Sequence, residues 1–134
     1  MLNKVIPRTE YISKLKGFRN NGLIKVIMDP RRCGKSFLLK LFQQELLKSG
    51  VAADHIISIE LDDLLQLSLR EPQVLHSHVL NHLKDESVHY VFIDEVQLCA
   101  HFEEVIASLT KRQNIDLYVT GSNAYLLSDF RALC

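Results

Sequence analysis

The most constraining feature of the sequence is a short loop that joins an apolar run to an amphipathic helix. The apolar run covers Leu23 to Ile27, and the helical pattern begins at about Lys35. The joining segment reads Met28-Asp29-Pro30-Arg31-Arg32-Cys33-Gly34-Lys35-Ser36. A strand, a tight loop ending in Gly-Lys-Ser and a helix form the layout of a phosphate-binding loop. The segment therefore predicts an α/β fold with an anion site at a helix N-terminus.

The residue types in this loop suit contact with a nucleoside triphosphate and Mg²⁺. Loop amides would surround the β-phosphate, because a helix N-terminus offers unpaired N–H groups and a partial positive charge. Lys35 would reach the β- and γ-oxygens, and the Ser36 hydroxyl would bind Mg²⁺. The predicted binding residues are Arg31, Arg32, Cys33, Gly34, Lys35, Ser36 and Phe37. Either arginine could instead lie on the surface or contact a neighbouring subunit.

A second candidate element is an apolar strand that ends in two acids. It reads Tyr90-Val91-Phe92-Ile93-Asp94-Glu95. Asp94 at the carboxyl end of such a strand suits a contact to Mg²⁺, and Glu95 suits a base or positioning group for an attacking water. An ordinary strand followed by a solvated acidic turn would show the same pattern. Downstream of a phosphate-binding loop, we favour the catalytic interpretation.

A third apolar strand, Leu117 to Thr120, is followed by the polar residues Ser122 and Asn123. Either side chain could hydrogen-bond the γ-phosphate or the attacking water. The alternative is that Asn123 only caps the helix that follows. Both interpretations stay open, since one residue can cap while the other contacts phosphate.

Strands and helices alternate along the chain. The patterns predict strands at 23–28, 55–61, 89–93 and 115–120, and helices at 35–49, 72–84 and 101–112, with 62–70 ambiguous. Such alternation favours a mostly parallel sheet in a three-layer α/β/α fold. We expect the strands to lie in the sheet in the order 23–28, 115–120, 89–93 and 55–61, so that the strand before the loop is next to the strand at 115–120. The chain reads as one domain over 1–134, with a helical segment at 1–22 before a core at 23–134.

Composition excludes several classes of protein. Hydrophobic residues make up 47% of the chain and charged residues 24%, which is a globular balance. The formal net charge of +0 gives no support for nucleic-acid binding. No stretch approaches a membrane span. The three cysteines have no metal-ligand spacing and read as free thiols, which predicts a cytoplasmic location. His78 and His82 are spaced for zinc, but a solvated helix face explains them better.

The three elements together resemble a known family. Pro-Arg-Arg-Cys-Gly-Lys-Ser, Phe-Ile-Asp-Glu-Val-Gln and Tyr-Val-Thr-Gly-Ser-Asn-Ala-Tyr-Leu-Leu are similar to the AAA-type ATPase domain of a large group of bacterial and archaeal ATP-binding proteins. The resemblance covers essentially the whole chain. It implies a P-loop fold that binds ATP with Mg²⁺ through Lys35 and Ser36. It further implies that Asp94 and Glu95 form the Walker B pair, and that Asn123 is the sensor residue.

The chain departs from that family in two respects. The first glycine of the family loop is replaced by Asp29, whose carboxylate would repel phosphate. Family members also continue into a further strand and a C-terminal domain, so this chain reads as a truncated member that lacks the last strand of the sheet. The alternative function is therefore a degenerate, non-catalytic remnant with weak or no nucleotide binding. Without that last strand, the strand at 23–28 would lie at an exposed edge of the sheet, which predicts self-association unless the N-terminal helix covers it.

Overall fold

The computed structural model describes residues 24–28 and 35–121. Within these residues, four strands alternate with three α-helices. The strands are β1 (Lys25–Met28), β2 (Ile56–Glu60), β3 (His89–Asp94) and β4 (Ile115–Gly121), and the helices are α1 (Lys35–Lys48), α2 (Pro72–Asn81) and α3 (Phe102–Thr110). Short 3-10 helices cover Ala53–His55, Leu64–Arg70 and Val96–Leu98.

The four strands form one parallel sheet in the order β1-β4-β3-β2. This is the order that the sequence predicts, with β4 inserted between β1 and β3. The β4 strand, which is the last of the four in the sequence, is therefore internal to the sheet. It is hydrogen-bonded to β1 on one side and to β3 on the other. Every residue of β3 and of β4 is buried. Burial on both faces explains why these strands read as nearly continuous apolar runs.

Helices cover both faces of the sheet, and the side chains of β3 alternate between them. Val91 and Ile93 face a large apolar cluster to which α2 and α3 contribute. Tyr90 and Phe92 face the other side, where they pack with Tyr118 and with Leu39, Phe42 and Leu46 of α1. The ring of Phe92 stacks on Tyr118 with centroids 4.9 Å apart. The three-layer α/β/α architecture is thus confirmed.

Local sequence signals set the ends of two helices. Gly50 takes a φ of 106° after α1, a conformation that side-chain-bearing residues rarely adopt, and Val51 N–H then bonds back to the Leu46 carbonyl at 3.0 Å. Pro72 begins α2, where its missing N–H has no helical partner to lose. The predicted end of the first helix at 49 and the predicted start of the second at 72 agree with these positions to within one residue.

The α2 helix ends at Asn81, three residues before the predicted end at about Lys84. The Lys84 N–H donates instead to Nε2 of His89 at 3.0 Å, which draws the chain out of the helix toward β3. The ambiguous segment after β2 forms the 3-10 helix Leu64–Arg70. Gln66 holds it to β2, because its Oε1 accepts the Glu60 N–H at 2.9 Å. The periodicity of apolar residues does not predict such local hydrogen bonds.

The 3-10 helix Leu64–Arg70 also carries large exposed apolar side chains. Leu64 is 78% exposed and Leu65 is 93% exposed. Among the described residues, no helix has the length and apolar character to cross a membrane. Cys99 is a free, buried cysteine, and burial raises the pKa of its thiol to about 11.

A charged pair lies in the core between β1 and β4. Lys25 and Asp116 are 1% and 2% exposed, and their side chains form a short ion pair. The Tyr118 hydroxyl donates to the other oxygen of Asp116 at 2.8 Å, and the Lys25 ammonium lies 5.1 Å from the Tyr118 ring centroid. Burial lowers the pKa of Lys25, while the hydrogen bond and charge of Asp116 oppose that shift.

Within the described sheet, β1 pairs with β4 alone and so occupies an edge. Its residues Lys25 and Val26 are nevertheless buried. Self-association through this edge stays a prediction, checked by light scattering at high concentration. The predicted helical segment at 1–22 and the helix after Asn123 lie outside the described residues.

The Lys25–Asp116 pair leads to a first prediction. Lys25→Met should lower the free energy of unfolding by about 3–5 kcal/mol, because the buried Asp116 carboxylate then loses this cation. The double variant Lys25→Met, Asp116→Asn should lose less than Lys25→Met alone, since neither charge remains. Urea denaturation monitored by circular dichroism measures both. Additive losses in the double variant would contradict an energetic link between the two side chains.

Candidate functional site

The carboxyl ends of the four parallel strands meet at one edge of the sheet. These ends are Met28 of β1, Glu60 of β2, Asp94 of β3 and Gly121 of β4. Backbone pairing sets Met28 opposite Gly121, and Glu60 opposite Asp94. Open parallel sheets bind ligands in the crevice outside this edge. The predicted loop follows β1 there, and both predicted acids lie at the end of β3.

The Thr120 hydroxyl connects the two acids. It donates a short hydrogen bond to Oδ1 of Asp94, and it accepts the Glu95 N–H at 3.0 Å. Thr120 is fully buried, and Asp94 is 5% exposed. A buried carboxylate keeps a fixed direction when a donor on a rigid strand holds one of its oxygens. The β4 strand therefore orients Asp94 and also fixes where the chain leaves β3.

Glu95 has an uncommon backbone conformation. Its φ is 57° and its ψ is 52°, in the left-handed region that is sparsely populated by residues other than glycine. The chain reverses at this residue and enters the 3-10 helix Val96–Leu98. The Glu95 carboxylate is also bonded, since Nε2 of Gln97 donates to its Oε1 at 2.7 Å. Backbone strain of this kind concentrates at functional sites.

The structure brings some of the predicted site residues together and leaves others undescribed. Asp94 and Glu95 lie side by side at the edge of the sheet, and α1 begins with Lys35, Ser36 and Phe37. Asp29, Arg31, Arg32, Cys33 and Gly34 lie outside the described residues, as do Ser122 and Asn123. The roles assigned to all of the predicted site residues stay predictions.

Sequence reasoning did not single out Thr120 and gave no role to Gln97. Thr120 lies next to Gly121 at the end of β4, and the sequence pattern predicted only that it is part of a buried strand. A usable signal was present: a hydroxyl near the end of one strand, beside an acid that ends the neighbouring strand. The predicted strand order already placed those two ends next to each other.

A second cluster of ionisable residues lies at the opposite, amino edge of the sheet. Nδ1 of His55 lies 2.7 Å from an Asp54 oxygen, and its Nε2 lies 3.0 Å from both Asp85 oxygens. The ring stacks on that of His89, with centroids 4.2 Å apart. The hydrogen bonds to Asp85 and Asp54 raise the pKa of His55. Hydrogen bonds from Ser87 and His55 lower the pKa of Asp85 to about 2.

His55, Asp85 and His89 lie close enough together to suggest a metal site. The hydrogen bonds of His89 argue against it, because both of its ring nitrogens are already occupied. Its Nε2 accepts the Lys84 N–H at 3.0 Å, and its Nδ1 lies 2.9 Å from the Ser87 carbonyl. The arrangement fits a protonated His55 between two carboxylates. The rings of His78 and His82 contact each other, with centroids 4.2 Å apart. Among the described residues, the cluster with metal-ligand spacing is His55, Asp85 and His89, which does not include them.

Comparison with known proteins decides the family. A family model for an AAA domain matches residues 21–132, which is most of the chain. The chain belongs to this AAA domain family. The resemblance seen in the three sequence motifs is therefore confirmed.

Two further similarities agree with the family. An uncharacterized protein of Haemophilus influenzae (strain KW20) is 30% identical over 129 residues, which cover 96% of this chain. The chain spans only 32% of the length of that relative. The solved structure of C. elegans PCH-2 matches 91% of this chain and 39% of its own, with a TM-score of 0.59 and 17% identity. At that identity the match shows a shared fold.

The Thr120 hydroxyl leads to a second prediction. Thr120→Val keeps the shape of the side chain but removes both hydrogen bonds, so we expect a loss of about 1–3 kcal/mol in the free energy of unfolding. Thr120→Ser keeps the hydroxyl and should recover most of that loss. Urea titration of the three proteins provides the measurement. A Thr120→Val variant as stable as the natural chain would show that the hydroxyl contributes nothing.

The His55 cluster leads to a third prediction, on pH. Because the pKa of His55 is raised in the folded protein, its contribution to the free energy of unfolding is complete below the ordinary value of 6.5. That contribution is lost as pH rises through the raised pKa. Because the pKa of Asp85 is lowered in the folded protein, its contribution to the free energy of unfolding is complete above the ordinary value of 3.8. That contribution is lost as pH falls through about 2. Stabilisation by the pair should therefore be greatest between these ordinary values.

Thermal unfolding of the natural chain and of His55→Gln tests this dependence. The natural chain should have the higher melting temperature at about pH 5.5, and the difference should shrink toward about pH 9. In an Asp85→Asn background the difference should depend less on pH. A difference that grows with pH would contradict the charged interaction.

Proposed function

We propose that this domain binds ATP with Mg²⁺ at the carboxyl edge of the sheet and hydrolyses it. The observation that carries the proposal is the pair of acids at the end of β3, held by Thr120 of the neighbouring strand. That neighbouring strand also pairs with β1, from which the Gly-Lys-Ser segment leads into α1. Membership of the AAA domain family supports the same conclusion.

The residues present fit a triphosphate and a divalent cation. Lys35 and Ser36 begin the 14-residue helix α1, so they belong to an N-terminus whose free N–H groups and dipole favour an anion. Asp94 supplies a carboxylate of fixed direction at the adjoining strand end. Hard oxygen ligands from Ser36 and Asp94 are those that Mg²⁺ prefers. When bound, the cation would neutralise charge on the phosphate oxygens.

Glu95 is the proposed base. A water oxygen would bond to the γ-phosphorus while the bond to the bridging oxygen of ADP breaks, and the water proton would pass to the Glu95 carboxylate and later to phosphate. Glu95 is only partly buried, unlike Asp94. Asn123 would contact the γ-phosphate or this water.

A second candidate function is a degenerate module that binds nucleotide weakly or not at all. Asp29 favours it, because a carboxylate in the phosphate loop would repel the ligand. The two acids proposed for metal binding and catalysis keep their hydrogen bonds to Thr120 and Gln97, which supports the first candidate function. We therefore infer that any impairment caused by Asp29 acts on affinity rather than on the chemical step.

A titration with labelled ATP and Mg²⁺ tests the proposal. We expect the natural chain to bind, and Lys35→Ala to weaken binding by about tenfold or more, because hydrogen bonds between charged groups are the strong ones. Asp29→Gly should bind more tightly than the natural chain. Glu95→Gln should keep affinity and lose hydrolysis.

The possible results separate the two functions. Binding by the natural chain that Lys35→Ala removes supports a working ATP site. Binding that appears only in Asp29→Gly supports the degenerate module. No binding in any variant overturns the nucleotide proposal.

A further inference from the structure

Gln97 makes one hydrogen bond and leaves one buried polar atom unsatisfied. Its Nε2 donates to Oε1 of Glu95 at 2.7 Å. Its Oε1 is buried and has no hydrogen-bond partner within the described residues. Unsatisfied buried acceptors are rare and destabilising, so each one calls for an explanation such as stored strain or a catalytic role.

The amide cannot turn over to remove this penalty without losing its other bond. A carboxylate only accepts hydrogen bonds, so the group that faces Glu95 has to be the NH₂ of Gln97. Reversal would place two oxygens against each other at the same short distance. The orientation that holds Glu95 is therefore the one that leaves Oε1 unsatisfied.

The backbone around Gln97 is well anchored. The 3-10 helix that contains it bonds Leu98 N–H to the Glu95 carbonyl at 3.0 Å, and Cys99 N–H to the Val96 carbonyl at 3.0 Å. Val96 and Cys99, which flank it, are both 1% exposed. Gln97 thus reaches Glu95 from a fixed turn, across only two residues of chain.

We propose that Gln97 is a positioning residue that fixes the carboxylate of Glu95, the base of the hydrolysis proposed above. Thr120 fixes the Glu95 backbone through its N–H, and Gln97 fixes its side chain through Oε1. The hydrogen bond from the amide to Oε1 restricts rotation of the Glu95 carboxylate, so its basic oxygens keep a fixed direction. The inference rests on the proposed ATPase function and adds to it the residue that aims the base.

Gln97→Met tests the inference, because methionine is similar in length and donates no hydrogen bond. We expect kcat for ATP hydrolysis to fall by about tenfold to a hundredfold, since a small misplacement of a catalytic group can cost that much. The affinity for ATP and Mg²⁺ should stay within about twofold, because Gln97 aims the base and does not hold the nucleotide. Gln97→Glu replaces the amide donor by a second carboxyl group that competes with Glu95 for a proton, so it should show the same separation of kcat from affinity.

Gln66→Met is the matched control. It removes a structural glutamine whose Oε1 accepts the Glu60 N–H, so it should lower the melting temperature and leave kcat unchanged. In a Glu95→Gln background, Gln97→Met should produce no further loss of the residual rate, because the two residues then act through the same missing base. Melting curves establish that every variant is folded before its rate is measured.

The outcomes distinguish this inference from the function on which it rests. ATP hydrolysis by the natural chain, with an unchanged kcat in folded Gln97→Met or Gln97→Glu, overturns the role of Gln97 and leaves the ATPase proposal standing. A loss of affinity equal to the loss of kcat also overturns it. No ATP binding by the natural chain overturns both.

Discussion

The parallel pairing of β4 between β1 and β3 is the constraint on which the rest of the structure depends. Strands that run in the same direction end at the same edge, so three chemically distinct segments separated widely in the sequence become neighbours. The central strand is buried along its whole length, which leaves it no freedom to shift. The segment that leads to the Gly-Lys-Ser loop and the acidic pair are thereby attached to the two sides of a single rigid element.

The two adjacent acids, Asp94 and Glu95, have different surroundings. Asp94 is buried within the sheet and receives the Thr120 hydroxyl, which suits a ligand of fixed direction. Glu95 lies one residue beyond, after a left-handed turn, and is only partly buried. Catalysis benefits when polar groups are oriented before the substrate arrives. The β4 strand and the following 3-10 helix supply that orientation from opposite sides.

Most of the fold follows from the sequence, since apolar runs, Gly50 and Pro72 are strong local signals. The strand order was predicted correctly because parallel α/β sheets obey few topological rules, and that order places Asp94 and Glu95 at the predicted edge of the sheet. The bond between Lys84 and His89, and the left-handed turn at Glu95, were not predictable from periodicity. The hydrogen bond of Thr120 was missed for a related reason, because its partner, Asp94, lies 26 residues earlier in the chain.

The buried Lys25–Asp116 pair also determines how β1 aligns with β4. Lys25 pairs with Tyr118 along the strands, and its ammonium meets Asp116 in the core. If β1 slid along β4 by two residues, every apolar side chain would keep its face, but the ammonium would be carried away from its carboxylate. A buried charge without its counter-ion is heavily penalised, so this pair selects one alignment among otherwise similar ones. The carboxyl end of β1 is thereby held at a constant height relative to Thr120 and the two acids.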